Sequence, residues 1–268
     1  MLDLILELAD AFERGRLPRL SLPLRYVAAK LTRGTPALAG EPIPVPVAVL
    51  TPMLVKLCEA LARGGAGASA EHIQQEIEGR RLDAGSLLTC SLRRDHQAIR
   101  TAATHRGLAP DLLWLVAELG VSPFVFAIQR SIFEAPPPPD LQAALAQWTR
   151  GYCPACGSWP ALAEVVAQRP ILRCSFCALA WEQPSHVCIY CDAPGDRVTP
   201  VATGDGRTDR RLDACLSCSG YLKAIDVAAL SPFPLLAIGD LETMDLDMTA
   251  MQRGLGRPQL KDFSVRAL

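Results

Sequence analysis

Eight of the ten cysteines in this 268-residue chain form four C-x-x-C pairs: Cys153/Cys156, Cys174/Cys177, Cys188/Cys191 and Cys215/Cys218. A two-residue spacer lets one tight turn aim both sulfurs at a single ion, and two such turns complete a tetrahedral four-thiolate site. One pair alone would be a weak signal; four within 66 residues are a strong one. Disulfides would require an oxidising compartment, and no export signal is visible at the N-terminus. A thioredoxin-type dithiol needs one pair beside a βαβ pattern, not four pairs among short strands. Two metal sites use every paired cysteine.

The gaps between pairs are 17, 10 and 23 residues. A hairpin can return the chain across the two longer gaps, leaving the shortest as a linker. The expected ligand sets are therefore Cys153, Cys156, Cys174 and Cys177 for one ion, and Cys188, Cys191, Cys215 and Cys218 for the other. The alternative is a cross-brace, with the first pair joined to the third and the second to the fourth. Four thiolates suit zinc or a single iron, and spacing does not choose between them.

These sites need short strands to carry them, and residues 151–268 supply candidates. "ALAEVV", "PILRC", "RVTPVA", "RRLDAC" and "YLKAIDV" read as β-runs. The preceding half reads as helical. Its clearest helix is "TPMLVKLCEALARGG", with Thr51 as N-cap, Pro52 in the first turn and Gly64 at the end. Further helices are expected near 70–80, 86–106, 110–119 and 122–133, and a short one is capped by Asp140. Prolines 42, 44 and 46 mark an extended connection. Leu2, Ile5, Ala9 and Phe12 mark one face of an N-terminal helix.

The predicted fold class is α+β and multidomain: a helical domain over 1–148, then two tandem rubredoxin-like or zinc-ribbon modules over 149–185 and 186–229. Residues 230–268 form a tail with room for a short helix after Gly239. Its acidic residues Asp240, Glu242, Asp245 and Asp247 read as a solvated face or a helix start.

Charge bears on the partner. The chain carries 27 basic and 28 acidic residues, a formal net charge of -1. Two four-thiolate sites filled by divalent ions would each add -2. Nucleic-acid-binding ribbons surround their metal with Lys and Arg, and here only "RRLD" is adjacent. A protein partner fits better than nucleic acid. The most apolar stretches are interrupted by Glu118 and Pro123, or are short and proline-studded, so no membrane insertion is expected.

Four segments carry a family likeness: "CPACGSWP", "LRCSFCALAW", "CIYC" and "CLSCSGYLKAID". Over residues 151–228 the chain resembles the FdhE-type formate dehydrogenase accessory proteins. The likeness includes Pro154, Gly157 and Pro160 around the first knuckle, Trp181 after the second, and Tyr221-Leu222-Lys223 after the fourth. One departure is Ser185, followed by His186, where the family usually has arginine.

The resemblance implies a cytoplasmic, non-catalytic assembly factor. It would bind the catalytic (alpha) subunit of a molybdenum- or tungsten-dependent formate dehydrogenase before that enzyme is complete, or before its export by the Tat route. It also implies two rubredoxin-like or zinc-ribbon modules holding iron or zinc, and raises Tyr221 and Lys223 to candidate partner contacts. The alternatives are a nucleic-acid-binding zinc ribbon and a rubredoxin-like redox protein.

Other residues have plainer readings. Trp159 and Trp181 are expected to pack over the first knuckle, and as aromatics are candidates for partner contact. Cys58 and Cys90 read as small core residues rather than nucleophiles. His72 and His105 are expected at the surface and His96 towards the helical core. His186 can hydrogen-bond a thiolate or sit exposed, since four sulfurs already complete its site. The apolar helical region leaves room for a homodimer interface.

Overall fold

The computed structural model describes residues 24–133, 137–182, 187–203 and 206–259. The expected N-terminal helix, Ser185 and His186 lie outside them. The described residues divide into two compact units, one of residues 40–133 and one of 24–39 with 137–259. Residues 24–39 and 137–148, expected in the helical domain, group with the strands.

In the second unit the first helix, α1, is Leu24–Thr32. The helical unit holds the next five. They are α2 (Val47–Leu61), α3 (Gly67–Glu78), α4 (Ala84–Leu92), α5 (His96–His105) and α6 (Pro110–Phe133). Their apolar stripes meet in a core that includes Leu54, Leu57, Ile73, Leu88 and Leu113. Helix α2 starts one turn before the sequence expectation, because the extended segment ends at Pro46. Thr51 is therefore interior, its hydroxyl donating back to the Val47 carbonyl at 2.8 Å. The run expected as one helix over 86–106 is two. Arg94 takes φ 59° between them, and Asp95 caps α5 by accepting from Ala98 N–H. Conversely, α6 runs through Pro123 without a break. It is long and apolar enough to cross a membrane, and over half of that stretch is buried in the protein, as a core helix is.

The second unit centres on a six-stranded sheet ordered β3-β2-β1-β6-β5-β4. The strands are β1 (Pro160–Val166), β2 (Arg169–Cys174), β3 (Ala180–Glu182), β4 (Val198–Val201), β5 (Arg210–Cys215) and β6 (Tyr221–Asp226). All five expected runs are strands; β3 was not anticipated. Each half repeats one plan: knuckle, strand, strand, knuckle, strand. Pairing is antiparallel within each half, and a parallel β1–β6 contact joins the halves into one sheet. Six of the seven β1 residues are buried, as expected of a central strand covered on both faces.

Helix α7 (Pro139–Ala146) precedes the sheet, and α8 (Phe233–Glu242) and α9 (Met244–Gln252) follow it. Helix α9 turns Leu246 and Ala250 onto Leu212 and Tyr221, leaving Met244, Met248 and Met251 exposed. The acidic cluster is not simply a solvated face. Asp240 and Asp247 lie 2.6 and 2.7 Å from the buried Lys223 Nζ, and Asp245 pairs with Arg210. Leaving the Lys223 ammonium unpaired in the sheet would be costly, which accounts for the two carboxylates facing it.

Candidate metal centres

Hairpin register assembles each cage. In the first half, Val166 pairs with Arg169 across the turn residues Ala167 and Gln168, both at positive φ as type I′ turns require. The hairpin then returns so that Pro160 faces Cys174. The first knuckle, a few residues before Pro160, thereby meets the second. In the second half, Val198 faces Cys215 and brings the third knuckle to the fourth.

The four knuckles are copies of one turn. In each, the N–H of the residue after the second cysteine donates to the carbonyl of the first: Gly157 to Cys153, Ala178 to Cys174, Asp192 to Cys188 and Ser219 to Cys215, at 2.9–3.2 Å. The first cysteine's own N–H donates to the carbonyl five residues on, at 2.7–3.0 Å. The closing residue has positive φ every time: 81° at Gly157, 56° at Ala178, 59° at Asp192 and 55° at Ser219. Only the first knuckle uses glycine, the residue that adopts this conformation without penalty.

The sulfurs gather as first pair with second and third with fourth. Within each set all four lie within 4.8 Å of one another. The closest approaches are 3.4 Å (Cys156–Cys174), 3.6 Å (Cys153–Cys177) and 3.7 Å (Cys156–Cys177) in the first set. In the second they are 3.8 Å for both Cys188–Cys218 and Cys191–Cys215. A tetrahedron with metal–sulfur bonds of about 2.3 Å has edges of about 3.8 Å. A disulfide needs about 2.05 Å, and all ten cysteines are unbonded. The spacing is that of two cages, and each could hold a metal ion.

Backbone amides point at the sulfurs: Phe176 and Cys177 N–H at Cys174, Tyr190 N–H at Cys188 and Ser217 N–H at Cys215, at 3.3–3.4 Å. Such bonds favour thiolate over thiol. The titration of the sulfurs is shared within each set. Burial pushes Cys153 and Cys177 well above the ordinary thiol value. Burial opposes ionisation at Cys156 too, but hydrogen bonding with Cys153, Cys174, Cys177 and Ser158 outweighs it and holds that thiol well below the ordinary value. In the second set burial raises Cys188 and Cys218. Cys215 is lowered to about 7: burial opposes this, and the Cys218 and Ser217 amides and neighbouring thiols prevail. The lowered thiols, Cys156 and Cys215, thus take negative charge first in their sets, while the raised ones, Cys153 and Cys177 in the first and Cys188 and Cys218 in the second, hold protons that a metal would displace.

The other sequence candidates have internal roles. Trp159 and Trp181 are buried, donating their indole N–H to the Gln259 and Arg150 carbonyls at 3.0 and 3.3 Å. Tyr221 is buried with its hydroxyl on Asp247, and Lys223 is fully buried among carboxylates. Indole and phenol rings offer large apolar area with one polar tip, which suits an interior as well as an interface. Cys58 is in the helical core, its thiol pushed up to about 12 by burial with Glu78 and Glu59 nearby. That is the behaviour of a packing residue rather than a nucleophile. Cys90 is half-buried and also raised. His72 and His105 are exposed, and His96 packs edge-on against Trp114.

Sequence reasoning missed the second buried charge pair, Glu164 and Arg173, which bond across β1 and β2 beside Cys174. Ser231 completes it, donating N–H to Glu164 at 3.2 Å and accepting from Arg173 at 2.7 Å. A charged residue within each apolar run was the available signal.

No family model matches the chain. It is 28% identical over 116 residues to "Protein FdhE homolog" of Aquifex aeolicus, a match covering 40% of each chain. It is 26% identical over 118 residues to "Protein FdhE" of an Escherichia coli strain, covering 42% of this chain and 38% of that one. The match thus spans about two fifths of the length of these curated relatives. The crystal structure of the FdhE protein from Pseudomonas aeruginosa superposes with a TM-score of 0.59, covering 98% of this chain and 86% of that one at 20% identity. At that identity the likeness establishes the fold. The curated relatives that the chain matches are both named FdhE, the name that the knuckle sequences suggested.

Proposed function

We propose that the protein is a non-catalytic, metal-binding accessory protein. It binds the catalytic subunit of a formate dehydrogenase and assists that enzyme's maturation in the cytoplasm, before completion or export. The observation that carries this reading is the pair of complete four-sulfur cages on a chain similar to proteins named FdhE. Cys153, Cys156, Cys174 and Cys177 would hold one ion, and Cys188, Cys191, Cys215 and Cys218 the other, each zinc or iron. A bound ion there ties the two ends of a hairpin together and fixes the folded surface offered to a client. Every paired cysteine is accounted for by the cages, which is why a scaffold role is preferred to a catalytic one.

The test is deletion with complementation. Loss of the protein should abolish maturation of the formate dehydrogenase, and the tagged protein should co-purify with its metal-cofactor-free catalytic subunit. Normal enzyme activity in the deletion strain would refute the proposal.

A second reading, a rubredoxin-like redox module, is favoured by the amide–sulfur bonds, since such bonds tune the potential of an iron–thiolate centre. Metal analysis with a visible spectrum separates the two. Colourless zinc protein that still supports maturation leaves only the scaffold reading, whereas reversibly bleached iron protein favours the redox one.

A further inference from the structure

We infer that the two cages load metal cooperatively, through the wall of residues that separates them. This rests on the reading of both sets as metal sites. The wall is continuous and built from the knuckles themselves. Tyr190, inside the third knuckle, packs edge-on against Trp159, three residues beyond Cys156, with ring centroids 5.0 Å apart. Trp159 in turn meets Tyr152, the residue before Cys153, at 6.0 Å. The Tyr190 hydroxyl donates to the Tyr221 carbonyl at 2.8 Å, just past the fourth knuckle. One aromatic side chain thus ties the third turn to residues that immediately follow the first and the fourth.

The backbones are as close. A Cβ on Gly151 would lie 1.9 Å from the carbonyl oxygen of Ile189. The approach to the first knuckle and the interior of the third therefore fit only with glycine at that position. A strap of the chain then spans both cages. Gly256 N–H donates to Ser219, which closes the fourth knuckle, at 3.0 Å. Arg257 donates to the Ala161 carbonyl at 3.0 Å, and the Gln259 carbonyl accepts from Trp159. Beneath these contacts, β1 leaves the first knuckle and pairs in parallel with β6, which leaves the fourth.

The physical consequence is a linkage. Without an ion, the short turns around a cage lose the tie that holds their ends together. If the third knuckle opens, Tyr190 leaves Trp159, and the first knuckle loses part of its packing before its own ion is touched. Filling either cage pre-pays the ordering of this shared wall for the other, so each ion raises the affinity for its neighbour by the same factor. The bistable element is the Trp159–Tyr190 contact with the 255–259 strap, ordered when both turns are closed.

The experiment is native mass spectrometry of the full-length protein, stripped and then titrated with zinc alone. Two independent sites, equal or unequal, leave at least about half of the molecules with one ion at half-saturation; a tenfold coupling lowers that share to roughly a quarter for sites of equal affinity, and lowers it from its higher starting value for unequal ones. The expected result is a spectrum dominated by the zero-zinc and two-zinc forms. A one-zinc share of half or more that Tyr190→Leu does not raise further would overturn the coupling while leaving both metal sites intact, and failure to take up two ions would overturn the reading it rests on. Tyr190→Leu retains all eight sulfurs and should raise the one-zinc share towards half. An unchanged one-zinc share in that variant overturns the assignment of the wall. If Tyr190→Leu does not fold, Tyr190→Phe, which loses only the bond to Tyr221, replaces it with a smaller shift in the same direction.

Discussion

The two cages are built on the same turn and differ in their exposure. In the first set three cysteines are buried and the fourth is half-buried; in the second, Cys191 and Cys218 are exposed while Cys188 and Cys215 are buried. The sequence around them explains this. The first two knuckles have Trp159, Phe176 and Trp181 within or near them in sequence, all buried, whereas the fourth knuckle carries Leu216 outward and is followed by Ser219 and Gly220. The same four-thiolate chemistry therefore stands in two settings, one inside the unit's core and one at its edge. The inner cage is placed to determine whether the sheet folds, and the outer one to exchange ions and reagents with solvent.

The largest expected effect tests that division. A structural four-thiolate zinc site contributes on the order of 10–16 kcal/mol, comparable to a whole domain's stability. Cys174→Ser should remove the inner ion, strand signal in circular dichroism and protease resistance of the sheet unit together. Cys191→Ser should weaken zinc binding at the outer cage while the strands persist. In the intact protein under a mild chelator, Cys191 and Cys218 should be alkylated at least about tenfold faster than Cys153, Cys174 and Cys177, as read by peptide mass mapping. Equal alkylation rates would erase the distinction between the cages.

A smaller effect tests whether each half relies equally on its buried charges. Glu164 and Arg173 are almost wholly enclosed, with side-chain exposures of 0% and 5%. Removing one member leaves the other charged and buried, which costs about 3–5 kcal/mol. Lys223 is as deeply buried, but its partners Asp240 and Asp247 reach water and also lie near Arg257. Lys223→Met fills the same space and leaves carboxylates that solvent and Arg257 can satisfy, so about 1–2 kcal/mol is expected after discounting for that exposure. Glu164→Gln should therefore lower the denaturant midpoint of metal-loaded protein more than Lys223→Met. The reverse order would show that the outer half depends more on its ion pairs than exposure implies.

What the sequence disclosed follows the locality of each signal. The cages were legible because the C-x-x-C spacing fixes a turn and the gap lengths select a hairpin, both local facts. Five strands were legible from short runs in which helical periodicity stops. The parallel β1–β6 pairing was not: it joins residues some 60 apart and leaves no local trace. Nor was β3, with three residues too short for any period. The burial of Lys223 was not legible either, since burial of an amphipathic side chain is decided by distant partners such as Asp247, whereas Trp159 was expected to pack inward and is buried. The break between α4 and α5 was hidden because Arg94 turns the chain with neither glycine nor proline, although Asp95 is a legible cap.

The same concealment operates inside the knuckles and supplies the finest test of the comparison. A non-glycine residue at positive φ carries a penalty of about 1–2 kcal/mol, less for Asp or Asn, which make local hydrogen bonds there. Gly157 escapes it in the inner cage, while Ala178 bears it in full at φ 56°. Ala178→Gly should then stabilise the metal-loaded protein by about 1 kcal/mol and Gly157→Ala should destabilise it by a similar amount, as shifts of melting temperature in opposite directions. In the outer cage Ser219→Gly should gain about as much as Ala178→Gly, and Asp192→Gly less. These gains hold only if the bound ion leaves the turn its strained φ. An Ala178→Gly melting temperature unchanged from wild type would mean that the metal–sulfur bonds of the inner cage, rather than the backbone preference of the closing residue, set the conformation of the knuckle.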